Sequence, residues 1–365
     1  MKVSLYRASL HYPHLQLHTA SSGSIGALEE LYLQLDDGRF QGLGEVRVNI
    51  AYLNGYQAAL VQDNVVKALR QLDWHQPPDR LLATLHQAGS TVLPPTRMLI
   101  DIALHDLIAR RQGVSVAALL GATSLSAVGH STNQTLFWSP LPQMLSQATD
   151  YVERGFTRLK VRLGVASFAE DERRIAALRQ RFGHHISLSA DANGQWSSAE
   201  ALSNLRRLGR YELSYLEQPI ADSQAAAYPA LARLSPVPLM LDESMSNTED
   251  LERILAEEGK LMAHLKLVKM GGIAPTLAAA RRLSAAGISF MVGQMNEGAA
   301  ATAAALQVAC AARPAYAELY GADGLADDPV SGLCYHQGLV SCQPTSGLGV
   351  AFSPARAELL QEFIQ

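Results

Sequence analysis

Ser187-Leu188-Ser189-Ala190-Asp191 is a short run that ends on an acid, and the arrangement returns at Ser214-Tyr215-Leu216-Glu217 and at Met240-Leu241-Asp242. The acids are spaced by 26 and then 25 residues. Between them lie the amphipathic stretches Ala199–Leu208 and Ala225–Leu234. A short strand, a helix and a further strand every 25 residues or so is what a parallel sheet requires. Each parallel connection has to cross back over the sheet before the next strand can pair. Successive parallel strands lie about 4.8 Å apart, so acids ending three consecutive strands converge at one edge of the sheet. Three such charges repel by several kcal/mol at an effective dielectric of about 20. A hard divalent cation removes that conflict, and an oxygen-only ligand set suits Mg²⁺, with Mn²⁺ second. A lone acid at a strand end is more often a helix N-cap; three in register are not explained that way. Asp191, Glu217 and Asp242 are therefore the expected metal ligands.

Moving outward, apolar runs of the same kind occur at Leu159–Leu163, Ala263–Val268, Ile288–Val292 and near Tyr316–Leu319, with Gly129–Leu136 as a weak first member. The rhythm starts at about Val128, and the count reaches about eight. This favours a closed (β/α)₈ barrel over an open doubly wound sheet. The chain has neither a Walker sequence nor a strand-GxGxxG-helix unit with an acidic partner, which argues against nucleotide-binding open sheets. Upstream the pattern differs. Val3–Leu10, Leu31–Leu35 and Phe40–Val46 read as antiparallel strands, with a turn at Asp36-Asp37-Gly38 and a mobile polar loop over Thr19–Ser24. From Gln57 to Gly121 the period becomes helical, most clearly over Met98–Ile108, and Gly121 is placed to end the segment. The expected architecture is α/β: a modified TIM barrel over residues 122–330, an α+β capping domain over 1–121, and a C-terminal segment over 331–365.

Lysines flank the acid ladder. Lys160 lies in Leu159-Lys160-Val161-Arg162-Leu163, and Lys266 in His264-Leu265-Lys266-Leu267-Val268-Lys269. Strand alternation sends Lys160 and Arg162 to one face, and His264 and Lys266 likewise. A lysine beside a bound cation is expected to have a lowered pKa, which is what a general base near neutrality needs. The histidines at 184 and 185, and those at 11, 14 and 18, are spaced for no single metal site.

Composition sets the outer bounds. The 365 residues are 48% apolar and 18% charged, with a net charge of -4. Neither nucleic acid nor an anionic membrane is an expected partner. No apolar run of spanning length and no leader after Met1 are evident. Cys310, Cys334 and Cys342 form no CxxC pair and read as reduced thiols in a cytoplasmic protein.

Several segments together resemble the enolase superfamily, in its mandelate racemase/muconate lactonizing group and the muconate-lactonizing branch. They are Gly42-Leu43-Gly44-Glu45, Ile100–Leu107, Lys160-Val161-Arg162, Asp191-Ala192-Asn193, Glu217-Gln218-Pro219, Asp242-Glu243-Ser244, Lys266–Ile273 and Gly293–Glu297. The resemblance implies that a cap closes over the barrel and that the C-terminal segment returns to it. It further implies that Mg²⁺ on the three acids holds a small carboxylate substrate, possibly derived from an amino acid. A barrel lysine then takes the α-proton, and the metal stabilises the resulting enediolate. Asn193 and Lys269 would orient the ligands, Glu297 would sit at the rim, and a homo-oligomer is expected.

Arg162 departs from the Lys-x-Lys of family members that racemise with two bases. A guanidinium stays protonated, so it is a poor base but a good carboxylate anchor. The expectation is one-sided chemistry with Lys266 as base and with Lys160 and Arg162 as electrostatic partners, leading to β-elimination or cycloisomerisation. The alternatives are an epimerase that pairs Lys160 with Lys266, and a barrel without catalysis that serves a binding role. Glu318-Leu319-Tyr320 replaces the Asp-x-Asp with which dipeptide epimerases of this branch hold an ammonium group.

Overall fold

The computed structural model describes residues 1–87, 89–122 and 129–363. Val128, the expected start of the repeat, and the last two residues of the C-terminal segment lie outside the described residues.

Eight parallel strands form one sheet in sequential order: Gln134–Leu136, Arg158–Arg162, Ser187–Asp191, Leu216–Glu217, Leu239–Leu241, Leu261–Lys266, Phe290–Gly293 and Tyr316–Glu318. The Asn133 amide donates to the Ala317 carbonyl at 3.2 Å and so stitches the first strand to the eighth. The barrel closes there. Gly129–Ser131, which the sequence pattern assigned to the first barrel strand, instead pairs antiparallel with Leu339–Cys342. The polar pair Thr132-Asn133 separates the two pieces, and Thr132 Oγ1 accepts the Leu319 amide at 2.8 Å.

The cap is a four-stranded antiparallel sheet in which Glu358–Phe363 pairs with Lys2–Leu10, followed by Leu28–Asp36 and Gln41–Arg47. Against it lies the helix Pro94–Gln112, which starts on two prolines and ends on Gly113 in the left-handed region (φ 69°). Prolines are tolerated in a first helical turn because those amides have no intrahelical acceptor. Contact with this helix explains the two glycines of the Gly42-Leu43-Gly44 motif. A Cβ at Gly44 would lie 2.0 Å from the Leu99 carbonyl, and one at Gly42 would lie 2.3 Å from that of Ala103.

Two buried aspartates on this helix tie the cap to its surroundings. Asp106 accepts the amides of Leu43 at 2.9 Å and Leu348 at 2.7 Å. Asp101 accepts that of Ile273 at 2.6 Å, just beyond the sixth barrel strand.

The polar loop expected to be mobile is a hairpin, Leu17–Thr19 against Gly23–Ile25, with Thr19 Oγ1 2.7 Å from Ser22 Oγ. It reaches over the barrel mouth. Among the described residues, no helix is long and apolar enough to cross a membrane.

Candidate active site

The register of the barrel brings the acid ladder together. Glu217 stands level with Asp191, which in turn stands level with Arg162. Asp242 follows the fifth strand directly. All three carboxylates are buried.

On the second strand, Lys160 is fully buried. Its Nζ lies 2.8 Å from Glu217 Oε2 and 3.8 Å from Asp191 Oδ2, and it also pairs with Glu318. Asn133 Nδ2 donates to the same Glu318 carboxylate at 2.9 Å. Arg162, two residues on, reaches the mouth and pairs with Asp191, its guanidinium 6.0 Å from the Phe137 ring centroid.

The sixth strand has the same two-level arrangement. His264 Nδ1 lies below the mouth, 2.9 Å from Glu217 Oε1. Lys266 lies at the mouth with its Nζ 2.6 Å from Asp242 Oδ2. Lys269, from the following turn, donates to Asp242 Oδ1 at 2.6 Å.

Burial and the neighbouring charges set the ionisation. Burial alone would raise Glu217 and Asp242, but Lys160 and His264 hold the first low, and Lys266 and Lys269 hold the second low. Asp191 is the acid left in conflict: burial and then Glu217 push it up to about 8. Without a cation, the lysines take their shifts from the surrounding carboxylates. Burial pulls the Lys266 ammonium down, yet Asp242 and then Glu217 outweigh it and the pKa is raised. Lys160 is raised in the same way by Glu217 and Glu318. A cation on Asp242 would compete with Lys266 for that carboxylate and turn the balance the other way.

The donor set fits a divalent ion. Ligand atoms of Glu217, Asp242 and His264 lie within 4.8 Å of one another. His264 Nε2 and Glu243 Oε2 are buried without hydrogen-bond partners. Asp191 stands outside that tightest group because its carboxylate faces Arg162. His264 was legible in the alternation of the sixth strand but had been read only as a neighbour of Lys266.

Other expected residues are placed as follows. Asn193 has a left-handed backbone (φ 45°), and its amide donates to Asp191 Oδ1 at 2.8 Å. Its Nδ2 lies 3.3 Å from Glu243 Oε1. Glu297 does not reach the rim. It is 1% exposed behind the wall, and Gln294, Met295 and Asn296 line the pocket instead. Gln218 had no role in the sequence reading. Its Oε1 accepts the amides of Asp242 at 3.1 Å and Ser244 at 3.2 Å, which fixes the Asp242 backbone.

A pocket opens between the cap hairpin and the barrel mouth. Arg162, Asn193, Asp242, Glu243 and Lys266 line its floor, and Leu17, Ile25, Tyr52, Phe137 and Tyr320 form part of its walls. Lys160 is not among its lining residues.

Residues 143–356 match the enolase C-terminal domain-like family. The chain belongs to the enolase superfamily, in its mandelate racemase/muconate lactonizing group. It is 33% identical over 234 residues to an L-amino acid-D/L-Glu epimerase of Francisella philomiragia, a match covering 64% of this chain and 65% of that relative. A chloromuconate cycloisomerase of Pseudomonas sp. is 33% identical over 210 residues, 57% of this chain and 56% of that one. The match thus spans a little under two thirds of such a relative's length. In fold, the chain is similar to the crystal structure of an N-succinyl Arg/Lys racemase from Bacillus cereus. That likeness has a TM-score of 0.89 at 23% identity and covers 99% of both chains.

Proposed function

We propose that this chain is a Mg²⁺-dependent enzyme that removes the α-proton of a small carboxylate with Lys266, leading to β-elimination or cycloisomerisation. The carrying observation is the pairing at the mouth: Lys266 lines the pocket on one side, and on the second strand the pocket position is Arg162. Asp191, Glu217 and Asp242 would hold the metal, with His264 close enough to join or to steady Glu217. Mg²⁺ bound there supplies a Lewis acid that stabilises charge developing on the substrate carboxylate.

The chain's own residues do the rest. Lys266 Nζ accepts the α-proton, leaving the substrate as an enediolate. Lys269 keeps Asp242 oriented once Lys266 turns to substrate. Arg162 stays protonated and anchors an oxyanion or leaving carboxylate opposite the base. Lys160 stays between Glu217 and Glu318 as a fixed charge. The cap hairpin covers the mouth and limits water.

Epimerisation is the second reading, favoured by relatives named as epimerases and racemases. It requires a proton donor opposite Lys266, and Lys160 would have to leave both carboxylates to serve. Incubation of chiral carboxylates with Mg²⁺ in D₂O, followed by NMR, separates the readings. One-sided chemistry exchanges the α-proton without forming the other epimer. Appearance of both epimers would establish the epimerase. A barrel with a binding role only would exchange nothing, and calorimetry would find no saturable Mg²⁺ site that Asp242→Asn removes.

A further inference from the structure

The metal end accounts for one end of a substrate, and the charges along the rest of the pocket bear on the other. The acids lining it, Asp242 and Glu243, both lie at the metal end. Its cations are Lys266, Arg162 and Arg47. Lys266 pairs with Asp242, and Arg162 with Asp191. Arg47 differs. It ends the cap strand Gln41–Arg47 and is 1% exposed. Among the described residues, no carboxylate oxygen lies within 4.0 Å of its guanidinium.

Neutral acceptors hold it in place. Nε donates to Asn49 Oδ1 at 2.7 Å, Nη1 to the Asn296 carbonyl at 3.1 Å, and Nη2 to the Asn49 carbonyl at 3.4 Å. Of its five N–H donors, two remain. Glu30 and Glu297 lie near enough to feel its charge, but neither touches the guanidinium. Burial, reinforced by Glu45, holds Glu30 well above the usual carboxylate range, and burial pushes Glu297 up to about 7. Both Glu30 oxygens are without hydrogen-bond partners. A buried cation that no carboxylate touches directly gains from a ligand that brings one within hydrogen-bond reach.

We infer that Arg47 is a specificity-determining residue that receives a second carboxylate of the substrate, so that the enzyme acts on dianionic rather than monoanionic or zwitterionic acids. This rests on the reading of the metal site above, which binds the first carboxylate. An ammonium group at the far end would meet Arg47 and find no lining acid away from the metal end. Glu318, the acid of the eighth strand, is committed to Lys160 below the pocket. Tyr320, two residues on, lines the pocket in its place.

The test uses three acids of equal length with the Mg²⁺-loaded protein, followed by calorimetry and thermal unfolding: glutarate, pentanoate and 5-aminopentanoate. Glutarate is expected to bind at least about tenfold tighter than pentanoate, beyond the factor of about two that its symmetry gives, and 5-aminopentanoate weakest. Arg47→Gln should remove that preference while leaving Mg²⁺ affinity unchanged, and Arg47→Lys should keep part of it.

Equal binding of glutarate and pentanoate, or a preference that survives Arg47→Gln, would overturn the assignment while leaving the metal site intact. If none of the acids binds in a Mg²⁺-dependent way, the metal-site reading fails and this one falls with it. Should Arg47→Gln not fold, the wild-type selectivity and Arg47→Lys decide the matter.

Discussion

The second and sixth barrel strands present the same two-level arrangement from opposite sides of the acid ladder, but with different chemistry at the mouth. On the lower level, Lys160 and His264 bracket Glu217 at 2.8 and 2.9 Å. On the upper level, Arg162 and Lys266 line the pocket beside Asp191 and Asp242. On the lower level Lys160 supplies the counter-charge to the buried Glu217, and burial keeps the His264 pKa low. The upper pair lines the pocket, and only Lys266 of the two is an ammonium that can exchange its proton near neutral pH. On the function proposed above, position along the strand, rather than residue type alone, separates Lys160 as a fixed charge from Lys266 as the base.

Five variants test that contrast and the parts of the fold that hold it in place. Lys266→Ala is expected to lower α-proton exchange in D₂O by about 10³-fold, with a smaller loss of stability than at Lys160 because Lys269 still pairs with Asp242. If exchange persists at the wild-type rate, the base lies elsewhere. Lys160→Met should act on stability instead. Leaving Glu217 and Glu318 buried without their cation costs about 3–5 kcal/mol, readable by denaturant unfolding. A variant as stable as wild type would show that the lower level is not the neutralising layer.

The anchoring of the sixth-strand loop gives a pH signature. Burial raises Asp101, but His105 and His86 overcome it and hold the carboxyl down at about 2. A folded pKa below the unfolded value of about 3.9 means a contribution present above pH 4 or so and lost as pH falls towards 2. The difference corresponds to about 3 kcal/mol, and Asp101→Asn should flatten acid unfolding in that window.

The aspartate behind the second strand has the opposite sign. Asp171 accepts the Gly164 amide at 2.8 Å and is pushed up to about 6, chiefly by burial. Its contribution is full below about pH 4 and is lost as pH rises through 6, so Asp171→Asn should remove that loss. The smallest effect is expected from Arg162→Lys. A titratable group opposite Lys266 should bring exchange of the opposite enantiomer to within about tenfold of the first and add a basic limb to the pH profile. Exchange that stays one-sided would show that the pocket, not the guanidinium, sets the stereochemistry.

Much of this site was legible in the sequence, for a physical reason. A parallel barrel repeats its unit, so acids one unit apart have to meet at one edge whatever the loops do. That reasoning reached Asp191, Glu217 and Asp242 and placed Lys160 and Lys266 on their flanking strands. It also reached the capping sheet and the long helix, because two-residue and 3.6-residue periodicities are local. It misassigned Gly129–Ser131, where three residues carry too little pattern to reveal their partner strand. The family resemblance placed Glu297 at the rim, which the loop after the seventh strand does not bear out, because a loop's path is not fixed by the repeat.

Only the tertiary structure decided which cations face the pocket. Alternation puts Lys160 and Arg162 on one face, but depth in the barrel is set by register against strands far away in the chain. The sign of the lysine shifts was decided there too, by carboxylates from the fourth, fifth and eighth strands. So was the place of Arg47 in the pocket wall, where a cap strand meets the loop after the seventh barrel strand. Periodicity and spacing are properties of the chain, whereas burial and the identity of the nearest charge belong to the folded assembly of distant segments.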